Sequence, residues 1–189
     1  MNDIRMPLPR WIKIRQIFEI RNPWWAYRRD ELDLPSGKKG EYHFVHVKGS
    51  SMVIPFLDGG RMVLVNQYRY LADRESIEFP CGSVKEHSTY DETARHELAE
   101  ETGFHAGKLN CVAEFNPYNG VTDENCRVYL ATDLTPASAE RDETEEFEQL
   151  YLSPDEFETK IRSGEIWDGM TLAAWSLVRN LVRRRGETT

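Results

Sequence analysis

Gly82-Ser-Val-Lys-Glu-His-Ser88-Thr-Tyr-Asp-Glu-Thr-Ala-Arg-His96-Glu97-Leu98-Ala-Glu100-Glu101-Thr-Gly103-Phe104 reads as a loop, a helix and a glycine stop. The helix is expected to start near Thr89 or Tyr90, because Ser88 and Thr89 can each cap it, with Asp91 and Glu92 three residues further on as return partners. It should end at Gly103, where a left-handed backbone costs glycine least. Between those limits Glu97, Glu100 and Glu101 stand at i, i+3 and i+4, so their three carboxylates share one face. Alone, that arrangement is unfavourable: like charges so spaced repel, and the last turns already carry the negative end of the helix dipole. A hard divalent cation resolves the conflict, because Mg²⁺ is held by a few carboxylates together with substrate phosphates. Ala94 and Leu98, again i and i+4, supply the adjoining core face. A solvated acidic face is the ordinary fate of a Glu-rich helix; the residues flanking this one argue otherwise.

The stretch resembles the Nudix box, Gly-x5-Glu-x7-Arg-Glu-U-x-Glu-Glu-x-Gly-U, where U is a bulky aliphatic or aromatic residue. Gly82, Glu97, Leu98, Glu100, Glu101, Gly103 and Phe104 match it. The departures are Ser88 for the first Glu and His96 for Arg, a pair that in the family orients the metal-binding glutamates. Losing both is either compensatory or a sign of altered catalysis.

The 189 residues are 40% hydrophobic, with eight Phe, eight Tyr and five Trp, enough for one sizeable core. A net charge of −8 argues against non-specific nucleic-acid binding. Cys81, Cys111 and Cys126 are widely spaced with no Cys-x-x-Cys pair, which indicates neither a zinc site nor a disulfide framework and suits a reducing cytoplasm. The sequence has no apolar run near membrane-spanning length, and its first residues lack a signal-peptide core, so a soluble cytoplasmic protein is expected.

Along the chain, Lys13 to Ile20, Trp25 to Leu32 and Tyr42 to Val47 read as strands; His43 and His46, three apart, fall on opposite faces and make no metal pair. The chain is expected to divide into an N-terminal β segment, 1–40, and a catalytic domain, 41–189. Ser51 to Leu57 and Arg61 to Tyr68 flank Asp58-Gly-Gly60 and read as a hairpin, with Met62-Val-Leu-Val65 buried on both faces. Leu109 to Phe115 and Cys126 to Thr132 are later strands, and a strand ends at Leu152. Ser153-Pro154-Asp-Glu156 opens a capped helix that stops near Gly164. Thr171 to Arg185 is amphipathic, with Leu172, Trp175, Val178, Leu181 and Val182 on its buried face. This order suggests an α/β protein with a mixed sheet and helices on both sides, the α/β/α sandwich that the Nudix resemblance also implies.

Further likeness to the ADP-ribose pyrophosphatase and nucleoside-diphosphate-sugar hydrolase branch lies in Gln67-Tyr-Arg69 and Glu78-Phe-Pro-Cys-Gly82. It implies that Arg69 contacts the diphosphate and that the Cys81 carbonyl is a metal ligand. It implies too that Asn119 and Glu124, in the polar loop 116–124, read the terminal sugar. Trp24, Trp25 and Tyr27 pack a core or dimer interface, or stack on a nucleobase; in this branch an N-terminal sheet joins a homodimer and its aromatics sandwich the base. The acidic run 140–148 is either a solvated loop or a lid. By position in that run Glu143 matches the family's base and Glu145 its metal ligand, with Glu146 the substitute for a shifted register. The reaction implied is hydrolysis of a nucleotide sugar on Mg²⁺ or Mn²⁺ held by Glu97, Glu100, Glu101, Glu145 and Cys81. The alternatives are a catalytically weak regulator that binds a nucleotide sugar, and an RNA-end or damaged-nucleotide hydrolase.

Overall fold

Two compact units divide the chain, Met1–Val47 with Tyr118–Glu124, and Lys48–Pro117 with Asn125–Thr189. The structure, a computed structural model, describes residues 7–137 and 147–186. In chain order the strands and helices are β1 (Ile12–Arg21), β2 (Ala26–Asp33), β3 (Lys39–His46), β4 (Ser50–Pro55), β5 (Met62–Arg69), β6 (Arg74–Glu78) and β7 (Cys81–Ser83). Then come α1 (Tyr90–Thr102), β8 (Phe104–Phe115), β9 (Cys126–Pro136), β10 (Phe147–Leu152), α2 (Pro154–Ser163) and α3 (Gly169–Gly186).

The first unit is an antiparallel sheet in the order β1-β2-β3. β3 pairs with β2 along its whole length, from Lys39 opposite Asp33 to His46 opposite Ala26, so the unit runs on to Val47 rather than dividing at residue 40. The loop 118–124 lies along the free edge of β3: Val45 N donates to Val121 O (2.8 Å), Asp123 N to Val45 O (3.3 Å) and Tyr42 Oη to Gly120 O (3.1 Å). His46 Nδ1 meets Asp123 Oδ2 at 2.6 Å, and Val47 N donates to Asp123 Oδ1. Edge backbone groups that would otherwise face water are thereby paired.

In the second unit β4 runs parallel to β9 in a mixed sheet ordered β7-β4-β9-β8, and β10-β5-β6 form an antiparallel sheet. Side chains alternate along β4. Val53 joins Ala94 and Leu98 of α1 with Tyr129 and Ala131, while Met52 and Ile54 join Met62, Leu64, Val128 and Leu130 with Phe157, Trp175 and Val178 of α2 and α3. Both clusters are almost wholly buried. The mixed sheet therefore carries α1 against one face and the α2–α3 side against the other, the expected α/β architecture. Phe157 stacks on Phe79 at 5.1 Å and tilts against Trp175 at 4.8 Å, which seats both later helices.

Three expectations need correction. The stretch around Asp58-Gly-Gly60 turns the chain, since Leu57 N donates to Arg61 O, but no hairpin ladder follows the single bridge of Phe56 with Met62. The next pair would need an N–H from residue 55, which is proline and has none. β4 and β5 diverge into different sheets, and β4 and the Met62–Val65 half of β5 are buried on both faces. On α3, Leu181 is exposed; the buried face is Thr171, Ala174, Trp175, Val178 and Val182, with Leu172 partly covered. β8 also starts at Phe104, directly after the helix stop, well before Leu109.

Candidate active site

α1 is fixed at both ends. Thr89 is the cap: its Oγ accepts from Glu92 N (3.2 Å), and Thr89 N donates to the Glu92 carboxylate (2.8 Å). That backbone bond first, and then one donated by Thr89 Oγ to the same carboxylate (2.8 Å), hold the Glu92 carboxyl below the usual range. Ser88 instead closes a turn to the Lys85 carbonyl. Gly103 ends the helix at φ 68°. Between them Ala94 and Leu98 are fully buried, which orients the acidic face.

That face meets the loop before it. Glu97 and Glu101 are buried and Glu100 is half-buried. A Cβ built on Gly82 would overlap the Glu97 carboxylate, so only glycine lets that carboxylate lie against the β7 backbone. Cys81, next in the chain, sits opposite Met52 in the β7–β4 pairing. His96 lies beside Glu100, Nδ1 to Oε2 2.9 Å, and 4.0 Å from Glu97 Oε1. His96, Glu97 and Glu100 are the donors that meet as a group with metal-ligand spacing among the described residues. The site suits a divalent cation on two grounds: the Gly82 cradle, which brings a carboxylate against a strand backbone carrying its own carbonyls, and the hard carboxylate oxygens themselves.

Arg69, at the end of β5, makes a two-pronged pair with buried Glu78: Nε to Oε1 is 2.7 Å, and Nη2 also meets Oε2. That bond, with smaller contributions from the Glu78, Asp168 and Glu101 charges, raises the guanidinium's pKa. Arg69 therefore stands in the field of the acidic face, and three of its five N–H donors are left over after Glu78.

Trp25, Tyr27, Asn119 and Glu124 belong to the first unit, whereas Arg69, Cys81, Glu97, Glu100 and Glu101 belong to the second. Trp25 is partly exposed, and its backbone N–H donates to Asn22 Oδ1. Tyr27 Oη bonds His43 Nδ1 at 2.5 Å and packs its ring edge-on against Phe18. Asn119 is exposed, and Glu124 N donates to Thr122 Oγ1. Glu143, Glu145 and Glu146 lie outside the described residues.

Several supports went unread in the sequence. Gln149 Nε2 donates to the Glu101 carbonyl at 3.0 Å, tying β10 to the end of α1. Buried Tyr129 donates to Asp91 Oδ1 at 2.6 Å; burial pushes its phenol pKa up, and the Asp91 bond adds to the shift. Tyr90 Oη donates to the Lys48 and Asn125 carbonyls in a space that a side chain on Gly49 would fill. Glu78 ends the mostly polar strand β6, Arg74-Glu-Ser-Ile-Glu78, and neither it nor Gln149 carried a local signal of its partner.

The NUDIX domain model matches residues 47–173. The chain belongs to that family, and its architecture and acidic helix make it an enzyme of the Nudix pyrophosphatase type. It is 31% identical over 147 residues to the ADP-ribose pyrophosphatase of Bacillus subtilis (strain 168), covering 77% of this chain and 80% of that protein. It is 30% identical over 165 residues to the methanol dehydrogenase activator of Bacillus methanolicus, covering 86% and 88%. A solved structure described as an ADP compounds hydrolase superposes with a TM-score of 0.81 at 20% identity, over 96% of this chain and 99% of that one, which speaks to the fold. Among the described residues no helix is long and apolar enough to cross a membrane.

Proposed function

We propose that the protein hydrolyses the diphosphate of ADP-ribose or a related nucleoside diphosphate sugar, giving a nucleoside monophosphate and a sugar phosphate. The observation that carries this reading is the carboxylate of Glu97 seated on Gly82, with Glu100 and His96 beside it. Glu97, Glu100 and Glu101 hold a divalent cation, Mg²⁺ or Mn²⁺, with the Cys81 carbonyl and Glu145 completing its ligands. When bound, the cation neutralises phosphate oxygens and lowers the pKa of water. Arg69 keeps two donors on Glu78 and turns its remaining N–H groups to a phosphate. Glu143 takes the proton from the attacking water, a general-base role worth roughly 10²- to 10⁴-fold. Trp25 and Tyr27 offer flat faces to the base, and Asn119 and Glu124 read the sugar.

Exposed Trp11, Ile12, Ile14, Phe18 and Ile20 in and just before β1 support a homodimer formed through the first unit. Three cysteines set in separate strands suit the cytoplasm.

The test is product analysis over ADP-ribose, GDP-mannose, UDP-glucose, dNTPs and capped RNA with added cation. Monophosphate release from a sugar nucleotide, abolished by EDTA and by Glu101→Gln, is expected. A second reading, a domain that binds a nucleotide sugar without turning it over, is supported by the 30% identity to a protein named as an activator and by Ser88 and His96 in the box. Tight binding without product would establish it in place of the first; turnover of capped RNA alone would displace both.

A further inference from the structure

His96, Glu97 and Glu100 each offer one ligand atom, and the three atoms lie within 4.8 Å of one another. One of the three is a nitrogen. Its separations from the carboxylate oxygens are 2.9 Å to Glu100 and 4.0 Å to Glu97. With bonds of about 2.1 Å, ligands of one ion stand about 3.0 Å apart at adjacent octahedral corners and about 4.2 Å apart at opposite ones. The imidazole thus stands at ligand-to-ligand spacing from two carboxylates already drawn together. Those carboxylates are largely covered, with side-chain exposures of 12% and 20%, while the imidazole at 58% remains open to an arriving ion.

We propose that His96 is itself a metal ligand, so that the cation on α1 is a first-row transition ion such as Mn²⁺ or Co²⁺ in preference to Mg²⁺. This rests on the reading that the Glu97 and Glu100 face binds a cation, and it adds which cation. Mg²⁺ takes oxygen ligands and gives up its water reluctantly, so an imidazole in its shell is a poor exchange. Transition ions accept imidazole readily, and affinity for a mixed nitrogen and oxygen site climbs from Mn²⁺ through Co²⁺. Without an ion the same imidazole hydrogen-bonds Glu100 one turn on, an i to i+4 contact that keeps the nitrogen beside the carboxylates. The other view is that this hydrogen bond is all that His96 does. The two views predict different binding.

The experiment uses the full chain without a histidine tag and the metal ions alone. Mn²⁺-loaded protein is examined by pulsed electron paramagnetic resonance for ¹⁴N directly bound to the ion, and Mg²⁺, Mn²⁺ and Co²⁺ are titrated calorimetrically. The wild type should show the nitrogen coupling; His96→Ala should lose it and His105→Ala should keep it. His96→Ala should weaken Co²⁺ binding about tenfold or more, the scale on which even the outer-shell partners of ligands act, and change Mg²⁺ binding far less. Mn²⁺ binding with no nitrogen coupling overturns the proposal and leaves the carboxylate platform standing, as does an equal loss for Co²⁺ and Mg²⁺ in His96→Ala. No binding of any ion by the wild type, with Glu100→Gln unchanged from it, overturns the platform and this inference together. Alanine suits an exposed helical position, so loss of fold does not confuse the result.

Discussion

The two compact units are held together by different physics. The Lys48–Pro117 and Asn125–Thr189 unit is built on two clusters of side chains that water does not reach, and its acidic helix is placed by Ala94 and Leu98 at full burial. The unit of β1, β2, β3 and the 118–124 loop buries few apolar side chains. Beyond the backbone ladder, its side-chain links include ion pairs, all but one without a buried member: Lys13 with buried Asp30, Arg15 with Glu31, Arg21 and Arg28 with Glu19, Lys39 with Asp33, and His46 with Asp123. Burial contributes steeply and irrespective of salt, whereas exposed pairs contribute little and are screened. The proposed metal platform thus stands on the stiff kind of scaffold, and the proposed base- and sugar-reading residues on the compliant kind.

The sharpest way to break that contrast is to truncate one apolar residue in each unit. Leu98→Ala removes a fully buried side chain beneath the acidic face and should cost about 2–5 kcal/mol, read as a lower denaturant midpoint. Phe18→Ala, at a partly exposed ring of β1, should cost less than about 1 kcal/mol. Equal costs would refute the division.

Gly82→Ala tests the cradle. The new methyl overlaps the Glu97 carboxylate and must displace it or the β7 backbone, at about 1–3 kcal/mol in stability. A displacement of this size should lower turnover about 10²-fold. Shortening the opposing side chain in Gly82→Ala with Glu97→Asp should recover part of the stability without the activity. A single Gly82→Ala variant with normal melting and turnover would show that the close approach is not needed.

Arg69→Gln compares a pair having one buried member with an exposed pair. It strips a buried carboxylate, Glu78, of its partner and should cost about 1–2 kcal/mol, with recovery in the Arg69→Gln, Glu78→Gln double variant. Arg15→Gln, in the exposed pair with Glu31, should cost under about 1 kcal/mol. A double-variant cycle with no coupling at Arg69 would remove the distinction.

The same contrast explains what the sequence disclosed. α1 was legible to within a residue, because its caps, glycine stop and apolar i, i+4 pair are local signals with one physical solution each. The α2 cap, Ser153 with Glu156 and a Pro after it, was legible for the same reason. The pairing of β4 was not. A glycine turn between apolar strands fits a hairpin equally well, and the choice hangs on the missing N–H of Pro55 and on partners far along the chain. The three glutamates could be placed on one face, but Gly82 against Glu97, Glu78 against Arg69 and Gln149 against the Glu101 carbonyl are meetings across the fold that no spacing encodes. Nor did spacing reveal that the 118–124 loop is zipped to β3, since edge pairing leaves no periodic trace.

Acid should separate the units most gently. Arg21 first and Arg28 second hydrogen-bond Glu19 and hold its carboxyl at about 2, well under the ordinary 4.5. A depressed acid contributes stability that is fully present above its unfolded value, so the Glu19 contribution to the β1–β2 pairing is whole above pH 4.5 and is lost as pH falls from there through 2. Protection of β1 and β2 amides, corrected for the intrinsic slowing of exchange in acid, should therefore fall between pH 5 and pH 2.5, and less so in Glu19→Gln, which has nothing left to titrate at that position. The capping carboxylate Glu92 titrates downward in the same direction, but α1 keeps Ala94 and Leu98 in the core when that bond goes, so its interior amides should stay protected. Raised salt at pH 5 should imitate acid at β1–β2 and leave α1 unmoved, because only the exposed pairs are screened. If α1 loosened first, or Glu19→Gln kept the full wild-type response, the ion pairs would not be what holds the first unit.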